Sequence, residues 1–140
     1  NCETDFVAKT DEFRTLVRDI AMQVAAARPE YVSREEVPKE VLAQEKAILT
    51  AQAAAEGKPA QVMEKIVAGR LEKFFKEKCL VEQPFIKNPD ISVRDLLMEQ
   101  IARIGENITV RRFARFELAE GLSKRGDDFA SEVARMAGGK

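Results

Sequence analysis

Histidine is absent from this 140-residue chain. Its absence removes the commonest general base near neutral pH, and with it every Ser-His or Cys-His nucleophile arrangement. Cysteine is scarce: Cys2 and Cys79 are too few for a disulfide framework, and neither has a CxxC neighbour to build a metal site. Free thiols in a reducing compartment are therefore expected. There is no Gly-rich phosphate loop with a Walker lysine. No apolar run approaches the roughly 20 residues needed to span a bilayer, and no secretory leader is recognisable, so a soluble chain without a membrane partner is expected. Charge of one sign is lacking too: 23 basic side chains face 24 acidic ones, for a net charge of −1. No global field draws such a chain to nucleic acid or an anionic membrane, which leaves a protein as the expected partner. The carboxylates are scattered beside Lys and Arg and read as solvated surface. No enzyme, catalytic residue, metal or cofactor is expected.

What the chain does have is helical periodicity. Its length suits one core. A helix is predicted from about Thr10 to Ala27, capped by Thr10, with Asp11 and Glu12 against the positive end of its dipole and a stripe of Phe13, Leu16, Val17, Ile20, Ala21 and Val24. Pro29 stops it, and Tyr31-Val32 reads as an extended link. Ser33 to Glu36 has the form of a capping box ahead of a second helix bearing Val37, Val41, Leu42, Ile48 and Leu49, which halts at Gly57 before Pro59. A third helix from about Ala60 carries Val62, Met63, Ile66, Val67, Leu71, Phe74 and Phe75 as core, while Lys73, Lys76, Glu77 and Lys78 form a solvated face. Pro84, Asn88, Pro89 and Asp90 punctuate a loop. Ser92 and Asp95 then cap a fourth helix, with Val93, Leu96, Leu97, Ile101 and Ile104, ended by Gly105.

From Ile108 to Leu118 the period changes to two, which predicts the one clear strand. A lone strand cannot close its own hydrogen bonds and must find a neighbour. Beyond a polar hinge, Gly121 to Gly126, the residues Phe129, Val133 and Met136 mark a short amphipathic helix, marginal by itself. The expected fold is α+β: helices packed on a small antiparallel sheet containing 108–118, with a core of residues 1–122 and a C-terminal helical module of residues 123–140.

Two stretches invite a functional reading. In the first, Thr4 is placed to begin a helix, and Phe6 sits beside Asp5, upstream of the apolar stripe. The ring either staples the first turn to the core or meets a partner. In the second, Arg111, Arg112, Phe113, Ala114, Arg115 and Phe116 interleave basic and aromatic residues as RNA-binding sheets do. Against RNA binding stand the missing RNP1 glycines, the acidic Glu117, and an alternation that sends Phe113 and Phe116 to opposite faces.

The string Thr4-Asp5-Phe6-Val7, inside Asn-Cys-Glu-Thr-Asp-Phe-Val-Ala, resembles the signature of the elongation factor Ts family. Glu-Gly-Lys-Pro (56 to 59), Val-Glu-Gln-Pro-Phe (81 to 85), Ile-Gly-Glu-Asn-Ile (104 to 108) and Val-Arg-Arg-Phe-Ala-Arg-Phe (110 to 116) agree with it in order and spacing. The resemblance implies a guanine-nucleotide exchange factor that binds elongation factor Tu in its GDP-bound and nucleotide-free forms, speeds GDP release, and leaves when GTP binds. It implies that Asp5 and Phe6, flanked by Thr4 and Val7, enter the G domain close to the magnesium and phosphate site. Residues 123–140, with Phe129 and Val133, resemble the module that holds the G domain away from that wedge. It also implies a helical domain and a core strand upstream of Asn1, where the chain opens in mid-motif. Long family members carry two core subdomains, whereas no internal repeat is visible here, so a homodimer is expected to recover the second grip. The implied compartment is a bacterial-type cytoplasm, or an organelle matrix or stroma. A helical adaptor without exchange activity is the alternative from another class, and an RNA-binding domain using 111–116 a further one.

Overall fold

The computed structural model describes residues 1–121. The hinge beyond Gly121, the helix expected around Phe129, Val133 and Met136, and with them the proposed module of residues 123–140, lie outside these. The chain order is α1 (Asp5–Ala8), α2 (Asp11–Ala27), α3 (Lys39–Ala55), α4 (Ala60–Lys78), β1 (Pro84–Phe85), β2 (Asn88–Ser92) and α5 (Val93–Ile104). The class is α+β, helices with a small antiparallel sheet, as expected.

Helix α2 forms where its local chemistry says it should. The Thr10 hydroxyl accepts from the Phe13 N–H at 3.3 Å, satisfying one orphan donor of the first turn. Phe13, Leu16, Ile20 and Val24 are buried, and they meet Leu80, Val93, Leu97 and Ile108 in the principal core. Val17 lies off this stripe, 51% exposed. Helix α5 supplies the opposite wall. It opens on a reciprocal box in which the Ser92 hydroxyl accepts from the Asp95 N–H and the Asp95 carboxylate accepts from the Ser92 N–H, and it closes on Gly105 at φ 80°.

Helices α3 and α4 form an antiparallel hairpin, turning at Gly57 with φ 72°. At 1.5 Å per residue its 17-residue arm is about 26 Å long. Leu49, Ala53 and Val67 are buried along it. Val37, Phe75 and Cys79 close its base with Tyr31, Val41, Leu42, Leu71 and Phe74. The capping box expected at Ser33 is not formed. Residues Arg34–Glu36 make a single 3₁₀ turn, Ser33 caps nothing with its side chain, and the Glu36 carboxylate accepts instead from the Val32 N–H at 3.1 Å. Pro38 lacks an N–H and its fixed φ suits a helix entrance, so α3 starts at Lys39 rather than Val37.

The sheet is not where the periodicity put it. β1 and β2 pair antiparallel, Pro84 with Ser92 and Phe85 with Asn88, across residues expected to be loop. The expected strand 108–118 joins no sheet among the described residues. Among the described residues its backbone reaches another segment at Asn1, where the Thr109 N–H donates to the Asn1 carbonyl at 2.9 Å and the Asn1 nitrogen donates to the Thr109 carbonyl at 2.6 Å. Alternation also fails within it: Ile108 and Val110 turn to the core, then Phe113 does, while Phe116 is 90% exposed. Without a neighbouring ladder, period two does not make a strand.

Two buried amides bind the layers. Gln83 Nε2 donates to the carbonyls of Ala27 at 3.2 Å and Glu77 at 2.8 Å, among the last of α2 and α4 respectively. One side chain thus serves two helix C-termini. Gln23 Nε2 donates to Gln83 Oε1 at 3.0 Å and to the Pro84 carbonyl at 3.1 Å, and its own Oε1 accepts from Ile86 N–H at 2.8 Å. Nearby, the Arg34 guanidinium forks between Glu82 and Glu72 while lying 4.5 Å from the centre of the Phe75 ring.

Candidate functional site

Thr4, Asp5, Phe6 and Val7 come together at one projecting tip, and the structure gives each a distinct task. Thr4 is the N-cap of α1, its hydroxyl oxygen accepting from the Val7 N–H at 3.4 Å. Val7 is half-buried against the principal core. The Thr10 hydroxyl donates to the Val7 carbonyl at 2.7 Å, joining the tip to the start of α2. Asp5 meets Lys9 at 2.8 Å, but both side chains are about 70% exposed and such a pair contributes little. Its carboxylate stays accessible.

Phe6 is 80% exposed. That excludes the staple, because a ring fixing the first turn would be covered by the core. A large apolar ring stands in water against the hydrophobic effect, next to an exposed carboxylate, on a helix of four residues none of which is fully buried. Such a tip can enter an apolar gap in a partner and carry a negative charge in beside it.

The tip is held from behind by Glu106, which no local sequence pattern marks. Glu106 Oε2 accepts from the backbone N–H groups of Glu3 at 3.1 Å and Thr4 at 3.0 Å, and Oε1 from the Thr4 hydroxyl at 2.5 Å. Glu3 returns the contact, its carboxylate accepting from Asn107 N–H at 3.1 Å. The Thr4 hydroxyl, with the N–H groups of Thr4 and Glu3 behind it, holds the Glu106 carboxyl below the usual carboxylate range. Glu106 stands in a recognised string, yet nothing in the sequence alone brings it back across more than a hundred positions. Gln23 did carry a signal: an amide placed three residues after Ile20 and beside Val24 sits at the edge of an apolar stripe and needs a buried partner.

The other expected features fall apart spatially. Phe113 packs on the principal core while Phe116 points away, and Arg115 meets Glu117 at 3.1 Å, so the 111–116 aromatics offer no common stacking face. A groove of about 530 Å³ runs between α2 and this segment, floored by Leu16, Ile20, Val24 and Ile108. Cys2 and Cys79 are free thiols, and burial pushes that of Cys79 up to about 11, which leaves it inert near neutral pH. Among the described residues no group of three His, Cys, Asp or Glu side chains is placed to hold a metal. No helix among them is long and apolar enough to cross a membrane. Phe129 and Val133, the remaining expected contacts, lie outside the described residues.

The family model of elongation factor Ts matches residues 14–100. The chain is 72% identical over 134 residues to an elongation factor Ts of Carboxydothermus hydrogenoformans, covering 96% of this chain and 62% of that protein. It is 66% identical over 133 residues to that of Heliobacterium modesticaldum and 65% over 133 to that of Syntrophomonas wolfei, each match covering 95% of this chain and 62% of the relative. The chain spans about three-fifths of the length of these curated relatives.

Proposed function

The chain belongs to the elongation factor Ts family, and on that premise we propose that it is a guanine-nucleotide exchange factor for elongation factor Tu, with Thr4, Asp5, Phe6 and Val7 as its contact. The observation that carries this reading is the exposure of Phe6, 80% uncovered on a tip whose base is fixed by Thr4 and Val7. A bulky ring inserted between packed elements of a G domain displaces them, since interiors are too dense to absorb it. Asp5 is carried in alongside, close to the magnesium and phosphate site. To weaken GDP a thousandfold, the complex must favour the nucleotide-free state by roughly 4 kcal/mol. Burying one Phe supplies about 1.5–3 kcal/mol, so Phe6 accounts for a substantial part but not the whole.

Residues 1–122 act as the core and 123–140 as a C-terminal module that holds the G domain through Phe129 and Val133. Two chains pair to provide two grips on elongation factor Tu, in a bacterial-type cytoplasm; light scattering that finds only monomer well above micromolar concentration removes the pairing. No cofactor, nucleic acid or membrane enters the reaction. A pure adaptor would bind without altering the nucleotide. Linkage separates the two readings: an exchange factor must bind nucleotide-free elongation factor Tu more tightly than the GDP form, by the factor through which it weakens GDP. Calorimetric titration of both forms tests this, and equal affinities leave only the adaptor.

A further inference from the structure

We propose that Glu106 is the positioning residue of the exchange tip: its carboxylate fixes the direction in which α1 presents Phe6. This rests on the reading of Phe6 as the inserted group. An isolated helix of four residues has no stability of its own, and α1 has no fully buried residue, only the half-buried Val7, so its orientation must come from what holds its two ends. At the far end Val7 leans on the core and Thr10 donates to the Val7 carbonyl. At the near end Cys2 packs on the core and its thiol donates to the Thr4 carbonyl at 3.3 Å, but the N–H side and hydroxyl of the cap are held by Glu106, whose three bonds all reach the two residues ahead of Asp5: the backbone of Glu3 and Thr4, and the Thr4 hydroxyl. That hydroxyl is also the acceptor for the Val7 N–H. One carboxylate therefore orders the cap, and the cap orders the turn that carries the ring. The Glu3 carboxylate on Asn107 and the Asn1–Thr109 pair hold the neighbouring backbone, but neither touches Thr4.

The chain has no tryptophan, so Phe6→Trp places a single indole at the tip. In time-resolved fluorescence anisotropy of the free protein, that indole is expected to tumble with the domain. Adding Glu106→Ala is expected to release a fast local decay while the circular dichroism melt still shows a folded core. An unchanged decay would overturn the proposal whether or not the chain exchanges nucleotide, because no elongation factor Tu is present. In the exchange assay, Glu106→Ala is expected to slow GDP release roughly tenfold when Phe6 is intact. In a Phe6→Ala background it should change little. Equal factors in both backgrounds would mean that Glu106 acts elsewhere, and would sink the proposal while leaving the exchange reading in place. Should Glu106→Ala fail to fold, Glu106→Gln, which keeps the shape but loses the charge and one acceptor oxygen, carries the same two comparisons.

Discussion

Replacing Gln83 by Leu removes the side chain that ends two helices at once. Because the Ala27 and Glu77 carbonyls can only accept, the Gln83 amide nitrogen must face them, which turns its oxygen toward the Gln23 amide. Gln83 is 3% exposed, whereas the two carbonyls it serves are part-buried. After the change Ala27 O and Glu77 O lose their donor, at about 1–1.5 kcal/mol for each part-buried bond, while Gln23 Nε2 keeps the Pro84 carbonyl. Allowing for the apolar side chain that replaces the amide, the net loss is about 2 kcal/mol. That is a melting temperature lower by roughly 6 °C for a domain of this size. Thermal unfolding followed by far-ultraviolet circular dichroism measures it. Gln23→Leu combined with Gln83→Leu should cost less than the sum of the two, by more than about 0.5 kcal/mol, since the pair share one bond. A Gln83→Leu protein that melts within about 2 °C of the parent would refute this reasoning, because it would mean that the two carbonyls are satisfied without the amide.

Phe6→Ala should leave the melting temperature within about 2 °C of the parent, as the ring is already exposed, while reducing the acceleration of GDP release by roughly 10–100-fold, the equivalent of burying one Phe; a large stability loss would place the ring in the core instead. The Ser92 hydroxyl and backbone N–H hold the Asp95 carboxyl below its ordinary value. A depressed folded value means that the box stabilises above the unfolded pKa, near 4, and is lost as pH falls through the lower folded one. Denaturant titrations should find the parent more stable than Asp95→Asn at neutral pH, with the gap closing below about pH 4; a pH-independent gap would contradict the assignment.

Helices α2 and α5 were legible because everything that makes them lies within their own turns: Thr10 with Phe13, Ser92 with Asp95, and Gly105 at the end. The end of α3 at Gly57 is equally local. The sheet was not legible, since Pro84 and Asn88 carry turn-like composition and pair only because Phe85 is buried and Gln23 holds the Ile86 N–H. Residues 108–118 carry a real alternation at Ile108 and Val110, but a strand is a property of two segments, and Asn1 supplies a partner only at Thr109. The tip was half legible. Thr4 and Phe6 declared themselves locally, whereas Glu106, which holds them, is brought there only by the packing of α5 against α2.

Opening of the nucleotide site of elongation factor Tu is what separates the proposed exchange factor from an adaptor. Stopped-flow release of a fluorescent GDP from elongation factor Tu, chased with excess unlabelled GDP over increasing concentrations of the chain, tests it most directly. The release rate is expected to rise with the chain and saturate at a value well above the spontaneous one, with Phe6→Ala reaching a lower plateau. A rate that stays at the spontaneous value while the chain is bound would contradict it.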